Sequence, residues 1–141
     1  MAGYEDNITV NHERNITLYA KLVPLIKIIK QYIDNKCNND LKQNIDNQTD
    51  KDDFDKYKKM FNKLVENLPA NTNKIENTYN SDDSEFNFPL LDITIQRIIV
   101  QIQEIILAFM VICKKNNLDF VYGYLRVIKN YFIEKVNSIR T

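Results

Sequence analysis

Four stretches of the chain place apolar residues three and four positions apart, which is the spacing of one buried face of an α-helix. They cover about residues 16–36, 53–68, 92–115 and 118–138. In the first stretch, Pro24 lacks an N–H and clashes with the preceding turn, so it either kinks the helix or lies in its first turn. In the second case the helix begins at Pro24, and residues 15–23 form a lead-in turn or a shorter helix.

Each stretch predicts one buried stripe. The predicted stripe positions are Leu18, Leu22, Leu25, Ile26, Ile29, Tyr32 and Ile33 in the first helix, Phe54, Tyr57, Phe61, Leu64, Val65 and Leu68 in the second, and Val121, Leu125, Ile128, Phe132, Val136 and Ile139 in the last. Residues 98–113 are apolar on most faces, and Gln101, Gln103 and Glu104 interrupt the run before it reaches the ~18–20 residues of a membrane span. We therefore expect a helix buried on nearly all sides of a soluble bundle.

Prolines and polar residues mark the ends of these helices. Pro69 stops the second helix, and Pro89 opens the segment that leads to the third, which Asp92 or Thr94 can cap. An Asn-Asn pair at 116–117 separates the third helix from the last.

Residues 35–51 and 70–85 are rich in Asn, Asp and other polar residues. They predict a mobile loop and a second polar connector, the latter with a single turn around 75–79. The sequence thus predicts an all-α fold in one domain spanning 1–141, with a central hydrophobic helix (92–115) and an amphipathic final helix.

The composition narrows the function classes. The 141 residues contain only two glycines, too few for a sheet protein with many tight turns. Net charge is zero, and the lysines around Lys58 lie among aspartates, which favours a solvated helix face over a nucleic-acid interface. Cys37 and Cys113 share no metal-ligand spacing and predict two free thiols in a reducing cytosol. The first residues lack the basic start and apolar run of a signal peptide.

The sequence contains no recognisable catalytic arrangement of side chains. His12 is the only histidine, and it lies in a polar stretch without an evident orienting partner. Asp52, Asp53 and Asp55 suit the positive end of a helix better than a metal or acid–base site. There is no phosphate-binding glycine loop, so we expect a protein that is not an enzyme and needs no metal or cofactor.

The segment DDFDKYKKMFNKLVENL resembles the second-to-third helix region of Bcl-2-type apoptosis regulators. The matching spacing is carried by Tyr57, Lys58, Lys59, Phe61, Leu64 and Leu68. Arg97, about thirty residues further on, resembles the arginine of the family's first homology motif. The family usually writes that motif Asn-Trp-Gly-Arg, whereas this chain has Thr94-Ile95-Gln96-Arg97. The last helix, with Tyr131-Phe132, looks like the sixth helix of that fold. Abundant Asn, Ile, Lys and Tyr, typical of an AT-biased genome, point to the poxviral members.

The resemblance implies an anti-apoptotic protein with a hydrophobic groove formed by its second to fifth helices. That groove would receive the death-motif (BH-3) helices of pro-apoptotic proteins such as Bim, Bid, Bax and Bak, in the host cytoplasm or at the mitochondrial outer membrane. Arg97 would pair with the ligand's aspartate, where an internal salt bridge is the alternative. The implied partner-binding residues are Phe54, Tyr57, Phe61, Leu64, Val65, Phe88, Thr94, Arg97 and Ile98.

Core packing is the alternative role for each apolar residue in that set, because a groove wall and a core stripe share one period. Several relatives carry a C-terminal membrane anchor, and none is visible in this sequence. Exchange of the first helix between two chains would give a homodimer, with Pro24 or the 35–51 segment as the hinge. Two rival functions are a Bcl-2-fold viral inhibitor of innate immune signalling adaptors and a plain helical structural or interaction protein.

Overall fold

A computed structural model describes the backbone of residues 2–79 and 84–140 and the side chains of residues 13–68 and 93–140. In these ranges the chain is helical almost throughout and contains no β-strand. The elements are α1 (Ala2–Lys36), a π-helical turn (Cys37–Leu41), a 3₁₀ turn (Lys42–Asn44), α2 (Gln48–Tyr79), α3 (Ser84–Lys115) and α4 (Asp119–Arg140). The predicted all-α fold with one long apolar helix and an amphipathic last helix is confirmed.

The four α-helices pack around one core. Each contacts its neighbours along the chain, and α1 closes the bundle by contacting α4 as well as α3. The core is aliphatic and aromatic, and Phe54 of α2 meets Phe109 of α3 at a ring-centroid distance of 5.5 Å. All four helices therefore bury one stripe each in a shared interior. Exchange of α1 between two chains remains a prediction.

The first helix continues through Pro24, so the shorter helix that would begin at this proline is wrong. Pro24 is exposed, and the residues before it are needed in the core. Tyr19 and Leu22 are buried, and the Tyr19 hydroxyl donates a hydrogen bond to the Leu68 carbonyl at 3.3 Å. Burying two large side chains offsets the backbone hydrogen bond that proline removes.

Most predicted stripe positions are buried. In α4, Val121, Leu125, Phe132 and Val136 lie in the core, as predicted from their spacing. Tyr32 of α1 departs from the prediction, since its side chain is exposed. At the margin of a buried stripe, an exposed tyrosine keeps its hydroxyl hydrogen-bonded to water.

The segment predicted as a mobile loop, 35–51, is mostly helical turns. Cys37, Leu41 and Ile45 recur every four residues and are all buried, which anchors the segment to the core. Counting polar residues predicted a loop because Asn and Asp are frequent between these three positions. The spacing of the apolar minority decided the structure.

A polar cluster joins this segment to the turn between α3 and α4. Asn47 caps α2: its Oδ1 accepts from the Asp50 N–H, and its Nδ2 donates to Asp50 Oδ2, both at 2.8 Å. Asn116 Nδ2 also donates to Asp50 Oδ2, at 3.1 Å, and Asn116 Oδ1 accepts from the Asp46 N–H at 3.3 Å. Among the described side chains Asp50 is the only buried charged one, and these contacts satisfy it.

The break predicted at Asn116-Asn117 is confirmed, and its geometry is a Schellman turn. Asn117 has a φ of 57°, the left-handed conformation that asparagine tolerates. The Leu118 N–H bonds to the Cys113 carbonyl at 2.9 Å, and the Asn117 N–H bonds to the Lys114 carbonyl at 3.3 Å. This pair of hydrogen bonds ends α3 and turns the chain into α4.

Around the second predicted connector, residues 70–85, the helix boundaries in the structure also differ from the predicted ones. α2 passes Pro69 and ends at Tyr79, and α3 begins at Ser84. The stop predicted at Pro69 is therefore wrong, and most of the predicted 70–85 connector has a helical backbone. Residues 80–83 lie outside the described part of the chain.

Candidate partner-binding surface

The α2 segment that resembles Bcl-2-type proteins directs its two phenylalanines into the core. Phe54 and Phe61 are each 1% exposed. Phe54 packs on Phe109, and the ring of Phe61 lies 5.8 Å from Lys30 Nζ on α1. In this conformation both rings contribute to the core, and neither is accessible to a partner.

Three other implied site residues on α2 lie at the margin of the core. Tyr57, Leu64 and Val65 are half-buried and pack against it. Tyr57 also lies beneath Lys56, whose Nζ is 5.5 Å from the ring centroid. These side chains keep some exposed surface, so their predicted role as partner-binding residues stays a prediction.

The implied site residues on α3 divide between the two faces of that helix. Ile98 is buried and Thr94 is half-buried, whereas Arg97 is exposed. Within the described part of the chain Arg97 forms no hydrogen bond or ion pair, so the internal salt bridge considered above does not occur there. The side chain of Phe88 lies outside the described residues.

Arg97 lies within an exposed apolar stripe, which we call the outer stripe. It consists of Ile93, Arg97, Val100, Glu104, Leu107 and Val111. Steps of three and four residues put these positions on one face of α3. The four apolar members are 42–51% exposed, although large aliphatic side chains are usually the first to be buried.

The opposite face of α3 fills the core. Ile95, Ile102, Ile106 and Phe109 are nearly inaccessible to solvent, with exposures of 0–2%. The expectation that this helix is buried on nearly all sides is therefore wrong. A helix that packs on the other three from one side only leaves its second apolar face in water.

The sequence signal for the outer stripe was present but ambiguous. Residues 93–113 contain only two charged residues, Arg97 and Glu104, and both lie on the outer stripe. A charge every seven residues on one face marks that face as the wetter one. Without knowing the packing, however, apolar residues all around the helix indicate full burial just as well.

Two further surface features lie apart from the outer stripe. Phe120, Val127 and Tyr131 form an exposed apolar stripe on α4, where Phe120 is 94% exposed. A cavity of about 670 Å³ lies at the start of α2, and all its lining residues come from the segment between Asn38 and Lys58. Lysines 42, 51 and 58 line this cavity together with Asp55, and no α3 residue does. Lys58 is engaged already, because its Nζ donates to Asn38 Oδ1 at 2.6 Å.

The two cysteines are free and buried, as predicted for thiols without a disulfide. Burial raises the pKa of the Cys113 thiol from 9.0 to about 12. Burial, followed by the nearby Cys113 and Asp34, raises the pKa of Cys37 still further. Protonated, inaccessible thiols are poor nucleophiles, so neither cysteine suits a catalytic role. No cluster of three or more metal-ligating side chains occurs among the described residues.

Comparison with known proteins finds no matching family, no matching curated protein and no matching solved structure. The segment that resembles two consecutive helices of Bcl-2-type proteins lies here in one continuous helix, α2. Arg97 lies in α3, the next helix along the chain. In length and hydropathy, Ile93–Lys115 would also suit a membrane span, and half of its most apolar window is buried in the bundle.

Proposed function

We propose that this protein is a non-enzymatic binding protein that holds an amphipathic helix of a partner along the outer stripe. The observation that carries the proposal is Arg97, an exposed arginine without a partner among the described side chains, flanked on its own helix face by Ile93 and Val100. Apolar side chains on either side of a lone cation suit a ligand helix with apolar residues at i, i+3/i+4 and i+7 and a carboxylate between them.

In its specific form, the ligand is the death-motif helix of pro-apoptotic Bcl-2 family proteins such as Bim, Bid, Bax and Bak. The protein would then act as a viral inhibitor of host mitochondrial apoptosis, working in the host cytoplasm. The support is the sequence resemblance of the α2 segment and the position of Arg97. Such ligands carry an aspartate among their apolar anchors, which matches the chemistry of the outer stripe.

A titration with labelled death-motif peptides from a panel of pro-apoptotic proteins tests this form. We expect Kd values in the nanomolar to low micromolar range, about −8 to −12 kcal/mol. Arg97→Ala should weaken binding by about 2 kcal/mol or more, because the ligand's carboxylate loses its partner as it is desolvated. Arg126→Ala, which removes an exposed arginine of α4, is the matched control and should leave affinity unchanged. Failure of every peptide to bind would refute the death-motif form of the proposal.

A second candidate is inhibition of innate immune signalling adaptors through an outer face of the same kind of fold. The observation that favours it is the burial of Phe54, Phe61 and Ile98, three of the residues implied to line a groove. With these residues in the core, a groove between the helices would require the bundle to open, whereas binding of an adaptor on an outer face would not. Direct binding to purified adaptor domains, combined with failure to bind any death-motif peptide, would select this candidate.

A further inference from the structure

The outer stripe carries two charges of opposite sign that do not neutralise each other within one chain. Arg97 and Glu104 are seven residues apart, about 10 Å along the helix axis, and neither forms an ion pair in the described part of the chain. They are also the only charged residues between positions 93 and 113. Both lie on the face that the bundle leaves in water.

The stripe is also nearly symmetric about position 102. Ile93 and Val111 lie nine residues from that position, Arg97 and Leu107 five residues, and Val100 and Glu104 two residues. A second α3 laid antiparallel across the first would therefore set Ile93 against the other chain's Val111. The same register brings each Arg97 within one helical turn of the other chain's Glu104.

We infer that the outer stripe is a self-association surface, on which the α3 helices of two copies pair antiparallel about Ile102. Such an interface is isologous, because each contact occurs twice by two-fold symmetry. It would cover an apolar strip about 27 Å long, from residue 93 to residue 111. The uncharged Gln96 and Gln103 flank the strip and add no like-charge repulsion.

Charge complementarity decides both the occupant and the orientation. In a parallel pair each Arg97 would face the other Arg97, and each Glu104 the other Glu104, which places like charges together. In the antiparallel pair each Arg97 lies opposite the other chain's Leu107, three residues (about 4.5 Å) along the axis from its Glu104, so a long arginine side chain reaches that carboxylate. The charges of the outer stripe are thus complementary to those of a second, antiparallel outer stripe.

Self-association of this kind would also regulate partner binding, a consequence that rests on the proposed function. The second copy would cover Arg97 and its apolar neighbours, so partner-helix binding and self-pairing would compete. Binding of a partner helix would therefore separate the two copies, and each chain would form a one-to-one complex with one partner helix.

Sedimentation velocity over a concentration series tests the pairing directly. The wild-type chain should form a dimer, and Arg97→Glu or Glu104→Arg should each weaken it by about tenfold, because each places like charges together at two symmetric points. An equimolar mixture of these two variants should form a heterodimer, and Arg97→Glu/Glu104→Arg should restore the homodimer. Arg126→Glu on α4 is the control and should dimerise like the wild type. All three positions are exposed, so the variants keep the fold.

Cross-linking tests the orientation. A mixture of Ile93→Cys and Val111→Cys chains should form an intermolecular disulfide on mild oxidation, while Ile93→Cys alone should not. A monomeric wild-type chain at high concentration would overturn the inference. So would a dimer that is indifferent to both charge reversals, or one in which Ile93→Cys alone cross-links. The double reversal separates this inference from the proposed function, since it should dimerise and yet fail to bind an acidic helical peptide.

Discussion

The two faces of α3 are both mainly aliphatic but have different surroundings. The inner face, with Ile102 and Phe109, is packed against three helices, whereas the outer stripe, with Val100 and Leu107, is about half exposed. Inner-face residues contribute to folding because their burial is complete in one chain. Outer-stripe residues contribute nothing comparable until another surface covers them. One apolar helix therefore has a face that stabilises the fold in a single chain and a face that adds to stability only when another surface covers it.

The largest expected effect is the difference in stability between a side-chain truncation on the inner face and one at the neighbouring position of the outer stripe. Ile102→Ala removes a side chain that is 0% exposed and should lower the free energy of unfolding by about 2–5 kcal/mol. Val100→Ala, two residues away on the outer stripe, should change it by less than about 0.5 kcal/mol at concentrations where the chain is monomeric. Urea denaturation of both variants measures the difference. Equal destabilisation by the two would remove the distinction between the faces.

The sequence predicted burial on nearly all sides of α3, which holds for the inner face and fails for the outer stripe, for a physical reason. Periodicity places residues on a helix face but does not say how many faces the rest of the chain can cover. Residues 98–113 are apolar on most sides, so full burial followed from the pattern alone. The bundle has only three other long helices in the described residues, and they pack on α3 from one side.

The candidate site shows the same limit. Arg97 stands out in the sequence through its resemblance to the arginine of a family motif, and the structure places its side chain at the surface. Phe54 and Phe61 have a spacing that suits a groove or a core equally, and only the packing distinguishes the two. In the sequence Glu104 interrupts an apolar run, and the pattern alone does not show that it shares an exposed face with Arg97.

The next effect in size concerns the polar cluster that holds the C-terminal end of α3 against the start of α2. Asp50→Ala leaves Asn47 and Asn116 without their shared acceptor, so Asn47 loses the side-chain bond that orients its cap, although the Asp50 N–H still donates to Asn47 Oδ1. It should lower the free energy of unfolding by about 1–3 kcal/mol. Asp55→Ala, on the exposed side of the same helix, is the control and should be near neutral. If thermal unfolding shows equal losses of stability for the two variants, the cluster does not link the start of α2 to the turn after α3.

A smaller effect is expected where α3 ends. Asn117 has a φ of 57°, and alanine disfavours this conformation more than asparagine does. Asn117→Ala should lower the free energy of unfolding by about 1 kcal/mol, whereas Asn117→Gly should be neutral or slightly stabilising. Chemical denaturation distinguishes the two. A loss in both variants would mean that the asparagine side chain, rather than its backbone, supports the turn.

The smallest effect at neutral pH involves Cys113, an inner-face residue whose ionisation becomes important only in alkali. Burial raises the pKa of its thiol from 9.0 in the unfolded chain to about 12 in the folded one. A raised folded-state pKa means that the folded chain keeps a proton which the unfolded chain releases. The stabilising contribution is therefore complete below pH 9 and is lost progressively as the pH rises from about 9 to about 12.

Measuring the free energy of unfolding between pH 8 and pH 11 tests this sign. Cys113→Ala should flatten the alkaline decline, and Cys37→Ala/Cys113→Ala should flatten it further, because burial raises the pKa of Cys37 as well. The quantity to compare is the slope against pH, since losing the sulfur also costs some packing at every pH. Val111→Ala, on the outer stripe two residues away, should keep the wild-type slope. An unchanged slope in the double variant would show that neither thiol is as inaccessible as the inner face of α3 requires.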